Sequence, residues 1–161
     1  MKVLTIIFFA LLSLGGCASK SGFFAPDVLE EKALSFTQKA QIFNSLEMKA
    51  SLVATYLNPL LKTYKSDKRV HFLMSVFIDN DFEDPDKQGL FNPDYSVTLN
   101  GQKPISIKPL EKDDELLKIA PVKNVWSHYY LVTFHKPATD KMELLFKSRR
   151  YGASSLVVEA E

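Results

Sequence analysis

Apolar positions after residue 47 follow the pattern of short β-strands. Some segments alternate apolar and polar residues, and others are short apolar runs rich in Val, Ile, Phe and Tyr, both of which predict strands. The run 70–78 is apolar at nearly every position, which is typical of a central strand covered on both faces. The pattern predicts seven strands, at 48–57, 70–78, 95–99, 104–107, 126–134, 142–146 and 155–158.

The number and spacing of these strands predict the fold class. Short strands separated by regular turn signals favour an antiparallel sandwich or a small barrel. We expect a mainly β protein built as an antiparallel sandwich of the immunoglobulin or transthyretin type. A single domain over residues 26–161 fits this length, and an N-terminal amphipathic helix would cover its core.

The predicted helix spans residues 26–45. Pro26 suits the first helical position, and Glu30 and Glu31 complement the positive end of the helix dipole. Apolar residues then recur at spacings of four and three, which forms one stripe along a helix. The stripe consists of Leu29, Ala33, Phe36, Ala40 and Phe43. The following stretch, 48–57, fits either a helix or a strand, and the strand is the preferred interpretation.

Turn and loop signals divide the rest of the chain. Asn100-Gly101 is a strong hairpin signal and predicts that 95–99 and 104–107 pair with each other. Residues 79–94 predict a loop because they are rich in Asp, Asn and Pro. A short helical turn is expected around 115–119, where Pro121 would end it.

The first 17 residues have a different pattern. A positive start with Lys2 precedes the run 3–14, which only Thr5 and Ser13 interrupt. As a helix this run would span about 18 Å, compared with about 30 Å for the hydrocarbon core of a bilayer. The run is therefore too short to cross a membrane and is typical of the core of a signal peptide.

The residues Leu14-Gly15-Gly16-Cys17 follow this core. They resemble the lipobox, the cleavage and lipidation motif of bacterial lipoproteins. The resemblance implies removal of residues 1–16 and attachment of a lipid, with palmitate among its acyl chains, to the Cys17 thiol. Residues 17–25 would then be a lipidated tether. Ala18 stands where Asp would retain a lipoprotein in the inner membrane, which implies the outer membrane of a Gram-negative cell. The alternative is an ordinary signal peptide with a chance cysteine.

Composition and charge exclude several classes. The chain has 161 residues, a formal net charge of +1 and one cysteine, so it cannot form an intramolecular disulfide. Removing residues 1–16, which include Lys2, leaves 145 residues with 19 basic and 19 acidic side chains and no net charge. A chain without a global basic field is not expected to bind nucleic acid in a generic way.

Metal and catalytic motifs are weak. Asp79, Asp81 and Glu83 place oxygen ligands at alternate positions, as calcium sites do, but the loop departs from the EF-hand pattern. Position six holds Asp84 instead of Gly, and position twelve holds Leu90 instead of Glu. We therefore prefer a solvated loop, and we expect no cofactor and no enzymatic activity. The three histidines form no metal motif and are expected at edges or in solvent.

Two clusters are candidates for binding. Trp126, Tyr129, Tyr130 and Phe134 could stack on a sugar or a partner, although in a sandwich such a set more often forms the core. A small basic patch could meet lipid phosphates or an acidic partner. It comprises Lys147, Arg149 and Arg150 beside Tyr151.

These features predict a non-catalytic envelope protein. A lipidated β-domain on a short tether would hold a protein partner at the membrane. In size and layout the chain is similar to the small accessory lipoproteins of secretion machines, which implies a role beside a secretion or envelope-assembly machine. A surface adhesin or ligand carrier is the alternative, and a periplasmic hydrolase is less favoured because the clustered carboxylates crowd one loop.

Overall fold

A computed structural model describes residues 28–65 and 68–159 of the protein. The α-helices are α1 (Val28–Ser35) and α2 (Lys62–Lys65), and two 3₁₀ helices span Gly89–Phe91 and Glu115–Ile119. The strands are β1 (Thr37–Asn44), β2 (Glu47–Tyr56), β3 (Arg69–Ile78), β4 (Tyr95–Leu99), β5 (Ser106–Leu110), β6 (His128–His135), β7 (Lys141–Ser148) and β8 (Gly152–Glu159). The predicted lipobox, 14–17, and tether, 17–25, lie outside the described residues.

The strands form two antiparallel sheets. One has five strands in the order β1-β2-β3-β6-β5, and the other has three in the order β4-β7-β8. Side chains from both sheets meet in one core, in which Phe72, Phe134 and Phe146 are fully buried. The prediction of a mainly β antiparallel sandwich is confirmed, and the described residues contribute eight strands instead of seven.

The additional strand arises because the predicted helix 26–45 is wrong in its second half. The helix ends at Ser35, and residues 37–44 form β1. The Thr37 hydroxyl donates to the Ala33 carbonyl at 2.7 Å, so it closes the helix while its own backbone enters the sheet. Ala40 and Ile42 point into the core at the period of two that a strand requires.

The central strand β3 is buried on both faces, as its sequence predicted. Every residue from Val70 to Val76 is buried. One face meets the three-stranded sheet, and the other meets a second apolar cluster that includes Leu73, Ile119 and Ala120. Leu29 of α1 packs against the same cluster. Helix α1 and the 3₁₀ helix Glu115–Ile119 therefore cover the outer face of the five-stranded sheet.

The hairpin predicted at residues 95–107 has the expected turn but not the expected pairing. Asn100 and Gly101 have φ of 47° and 79°, and Leu99 and Gln102 exchange backbone hydrogen bonds of 2.9 Å. Beyond this one bridge, β4 pairs with β7 and β5 pairs with β6. The turn thus carries the chain from one sheet to the other.

Two other local predictions agree with the structure, and a third differs at one boundary. The ambiguous stretch 48–57 lies almost wholly in β2, and the short helical turn occupies 115–119 as expected. The strand predicted at 126–134 starts later, at His128, so that Trp126 lies outside it. Among the described helices, none has the length and apolar character needed to span a bilayer.

Gly89 packs closely against the core. Its φ is +58°, in the left-handed region, and a Cβ built there would overlap the Tyr130 hydroxyl. We predict that Gly89→Ala lowers the free energy of unfolding by about 2–4 kcal/mol, because it adds backbone strain and a steric overlap. Urea denaturation measures this change.

Gly152→Ala is the matched control. Gly152 also has a positive φ, of +89°, but no atom lies within 4 Å of the Cβ position. Only the backbone cost of about 1–2 kcal/mol is expected there. The penalty of Gly89→Ala should also shrink in a Tyr130→Phe background, which removes the overlapping hydroxyl. Equal losses for the two glycines would contradict this account.

Candidate functional site

The antiparallel order of the strands brings four connections to one end of the sandwich. They are the turn 45–46, the connections 79–94 and 111–127, and the turn 149–151. We call this the loop end. The backbone N–H of Arg149 donates to the Asp94 carbonyl at 2.8 Å, so the turn of the smaller sheet is joined to the connection that leaves the larger sheet.

Exposed apolar side chains are concentrated at the loop end. Of the thirteen large apolar side chains that are exposed in the described part of the chain, seven lie in these connections, and an eighth, Phe43, lies one residue before the end of β1 beside the turn 45–46. Leu46 is 97% exposed, Val125 85% and Trp126 76%. Concentration of such residues on one region of a soluble domain marks a site of interaction. The eight are Phe43, Leu46, Phe82, Phe91, Val122, Val125, Trp126 and Tyr151.

A groove of about 710 Å³ opens at the loop end beside β5 and β6. Its apolar lining comes from the two long connections and from the adjoining ends of these strands. Carboxylates and ammonium groups stand among the apolar residues, at Asp86, Glu111, Asp113, Asp114, Lys112, Lys118 and Lys123. The apolar lining includes Phe91, Leu110, Leu117, Val125 and Tyr129.

Tyr130 fixes one wall of this groove. Its ring is almost fully buried and packs edge to face against Phe91, with centroids 5.7 Å apart. Its hydroxyl donates to the Gln88 carbonyl at 3.3 Å. Burial raises the pKa of the Tyr130 phenol above its ordinary value, so the hydroxyl keeps its proton and remains a donor at neutral pH.

The exposed pair Val125 and Trp126 is held on an ordered turn. The Asn124 side chain accepts from the Trp126 N–H at 3.0 Å, as in an Asx turn. The Tyr129 hydroxyl accepts from the Asn124 N–H at 2.7 Å and lies 3.1 Å from the Asn124 carbonyl, to which it donates. The two apolar side chains are therefore presented to solvent on a backbone that is already fixed.

Two of the three carboxylates considered for a metal site form contacts within the protein. The Asp81 carboxylate accepts from the Gly89 N–H at 2.6 Å and from the Asn92 side chain at 2.7 Å, and it thereby shapes the connection 79–94. Asp79 forms an ion pair with Lys49 at 2.9 Å, and Glu83 is exposed. Within residues 28–65 and 68–159, no three potential ligands come together.

Lys49 joins two carboxylates near the base of the β1–β2 turn. Its ammonium group lies 2.8 Å from Glu47 and 2.9 Å from Asp79. Hydrogen bonds with Glu47 and then with Asp79 raise the pKa of Lys49 above its ordinary value. This contact links the start of the connection 79–94 to the neighbouring strand.

The basic patch lies partly at the loop end. The guanidinium of Arg150 is 3.4 Å from the Asp94 carboxylate, and that of Arg149 is 3.9 Å from it, so the charge of the pair is partly balanced. Tyr151 is exposed in the same turn. Lys147 points away from the core on the outer face of β7. The structure therefore places three of the four residues at the loop end.

The aromatic cluster is divided by the structure. Tyr130 and Phe134 are core residues, as expected, whereas Trp126 is exposed and Tyr129 lines the groove. The preference for a core role is therefore wrong for Trp126 and Tyr129, and Trp126 remains a candidate binding residue. Its strand starts two residues later, so the indole lies in the preceding turn and not on the inner face of the sheet.

One histidine also departs from expectation. His71 is buried in β3, where its ring stacks on Tyr64 at 4.3 Å and its Nδ1 lies 3.1 Å from the Thr133 hydroxyl. His135 is exposed, as expected. His71 is part of the packing of the outer face, far from the groove along the strand.

The groove could have been found from the length of one connection. Seventeen residues, 111–127, separate two strands that are hydrogen-bonded neighbours. Connections longer than about 12–15 residues are uncommon in compact domains and often carry a function. The contribution of Phe91 and Leu117 could not be read from the sequence because it depends on how two distant connections meet.

Comparison with protein-family models, with curated proteins and with solved structures gives no match to this chain. The geometry of the loop end is therefore the basis from which we infer a function.

Tyr129→Phe tests whether the exposed turn is held in place. The substitution removes both hydrogen bonds to Asn124, so we expect the fluorescence anisotropy of Trp126, the single tryptophan, to fall. The free energy of unfolding should fall by about 0.5–1.5 kcal/mol. Tyr151→Phe, in another turn of the same end, should change neither quantity. Unchanged anisotropy in Tyr129→Phe would show that other contacts order the turn.

Proposed function

We propose that the protein is a lipid-anchored protein of the bacterial envelope that binds a protein partner through its loop end and catalyses no reaction. The observation that carries this proposal is the concentration of exposed apolar side chains at that end, with Trp126 on a preformed turn. Trp and Tyr side chains are the residues most often found as energetic anchors of protein interfaces. A turn that is ordered before binding also lowers the entropy cost of association.

The dimensions of the loop end suit a protein partner. In the five-stranded sheet, the β1–β2 turn and the groove beside β5 and β6 lie toward opposite sides, about three strand spacings or roughly 14 Å apart. A standard interface covers about 800 Å² on each partner, so one partner could contact Leu46 and Trp126 together. The acidic and basic side chains between them would form the polar rim that such interfaces carry.

The lipobox supports the anchored location. Lipid at Cys17 would connect to Val28, the first described residue, through a segment that reaches about 36–40 Å when fully extended. The domain would then stay close to the membrane, where a partner in a secretion or envelope-assembly machine could be retained. Ala18 after the cysteine favours the outer membrane.

A ligand carrier is the second candidate, because the groove volume of about 710 Å³ lies within the range of small-molecule sites. The exposed apolar residues outside the groove, such as Leu46, have no role in that function. They favour the protein-binding interpretation.

Lipidation is tested by metabolic labelling. We expect labelled palmitate to enter the wild-type protein and to be absent from Cys17→Ser, because the only thiol of the chain is then lost. The wild-type protein should fractionate with the outer membrane. An equally labelled Cys17→Ser variant, or an unlabelled wild-type protein that is expressed and exported, would contradict the anchor.

Docking is tested by photocrosslinking in cells. A photoreactive phenylalanine analogue replaces Trp126 in one variant and Leu46 in a second. We expect both to form an adduct with the same protein, because both side chains lie at the proposed interface. Immunoblotting and mass spectrometry identify the adduct and the residues that it joins.

Ala138 provides the matched control for this experiment. It is exposed in the turn 136–140, at the opposite end of the sandwich, and should form no adduct with that protein. Adducts of equal yield from position 138, or none from positions 126 and 46 in correctly localised protein, would overturn the proposed docking surface.

A further inference from the structure

The groove at the loop end combines an apolar lining with several carboxylates. We infer that it binds an extended segment of the partner in which Lys or Arg side chains stand between large apolar ones. This inference rests on the proposed function and names the chemistry of its partner.

The lining of the groove favours large apolar side chains in the bound segment. Phe91, Leu110, Leu117 and Tyr129 contribute side chains from four different elements to one concave surface. The position of Phe91 is fixed by its edge-to-face contact with the buried Tyr130. Val125 extends this surface toward the exposed Trp126. An apolar side chain placed there would be removed from water, which favours binding.

The charges around the groove favour Lys and Arg side chains in the bound segment. Asp86, Glu111 and Asp113 line it and form no ion pair within the described residues. Of the lining ammonium groups, Lys118 is already neutralised by Glu115, with both carboxylate oxygens within 2.8 Å. The lining carboxylates, four in number with Asp114, therefore exceed the two remaining ammonium groups, Lys112 and Lys123.

The same imbalance extends over the whole loop end. Its four connections contain ten acidic and six basic residues, although the chain as a whole is nearly neutral. A cationic segment would be attracted to this end from a distance and would pair with the uncompensated carboxylates on arrival. The phosphates of an anionic lipid surface would be repelled. The charge therefore favours a polypeptide over a membrane as the occupant of the groove.

The position of β5 suits an extended segment. It is an edge strand, paired only with β6 among the described strands, and Pro109, Leu110 and Glu111 at its end line the groove. An extended chain can lie along such an edge with alternate side chains pointing into pockets. Pro109 has no N–H to donate, so a continuous ladder cannot form and side chains in the groove would supply the specificity.

Trp126 allows a direct test, since it is the single tryptophan and adjoins the groove. The full lipidated protein is anchored in vesicles of phosphatidylethanolamine and phosphatidylglycerol that contain brominated acyl chains, which quench a buried indole. The probe is a short synthetic peptide without tryptophan in which Leu and Phe alternate with Lys and Arg. We expect this peptide to move the Trp126 emission to shorter wavelength in a saturable manner.

Two comparisons test the role of charge. A peptide with Glu in place of Lys and Arg should give no saturable shift. The double variant Asp86→Asn with Asp113→Asn should raise the Kd of the basic peptide about tenfold, because two charge pairs at the rim of the groove are lost. Asp140→Asn, in the exposed turn at the opposite end, should leave the Kd unchanged.

Three outcomes would contradict the inference. Binding of both peptides with equal affinity, or an unchanged Kd in the double variant, would overturn the inferred preference for Lys and Arg side chains. Quenching of Trp126 by the brominated lipid without peptide would show that the membrane occupies this surface. If no peptide binds while positions 126 and 46 still crosslink to one protein, this inference fails and the proposed docking function stands.

Discussion

The burial of β3 on both faces is the constraint on which the rest of the structure depends. Its residues from Val70 to Val76 are all removed from water, so each face of the five-stranded sheet needs an apolar cover. The three-stranded sheet supplies one cover through Phe146 and its neighbours. Three strands cannot also cover the other face. Helix α1 and the 3₁₀ helix Glu115–Ile119 do this with Leu29 and Ile119.

The need for a second cover also explains the form of the loop end. Strands β5 and β6 are neighbours, and a short turn would have been enough to join them. The connection 111–127 is longer because it first lays Ile119 on the outer face and then returns to the start of β6. The residues of the return, 121–127, have no place in either core. They project Val125 and Trp126 into solvent and form one side of the groove.

Sequence patterns predicted those features that depend on local chemistry. The apolar run of β3 identified a central strand, and Pro121 with the preceding residues located the 3₁₀ helix. The positive φ angles of the turn at Asn100-Gly101 also followed from its residue types. Pairing did not follow, since a tight turn fixes the reversal of the chain but not the sheet to which each arm belongs. The β4–β5 arms separate because their best apolar partners lie in different layers.

The error in the predicted helix has a related cause. Ala33, Ala40 and Phe43 fit the helical period, but Ala40 with Ile42 also fits the period of a strand. No Gly or Pro marks the boundary near Phe36, so the local sequence could not choose between the two. The choice is made by tertiary pairing, in which residues 37–44 lie beside β2 as an antiparallel neighbour.

Net charge is a poor guide to the electrostatics of this domain. A formal charge near zero argues against a field over the whole protein, and thus against generic nucleic-acid binding. The fold nevertheless gathers acidic connections at one end, and the remaining residues carry the compensating positive charge. Because screening limits electrostatic interactions to about 8–10 Å at ordinary salt, a partner responds to the local excess and not to the total. The proposed docking surface is therefore acidic and apolar on a chain that is nearly neutral overall.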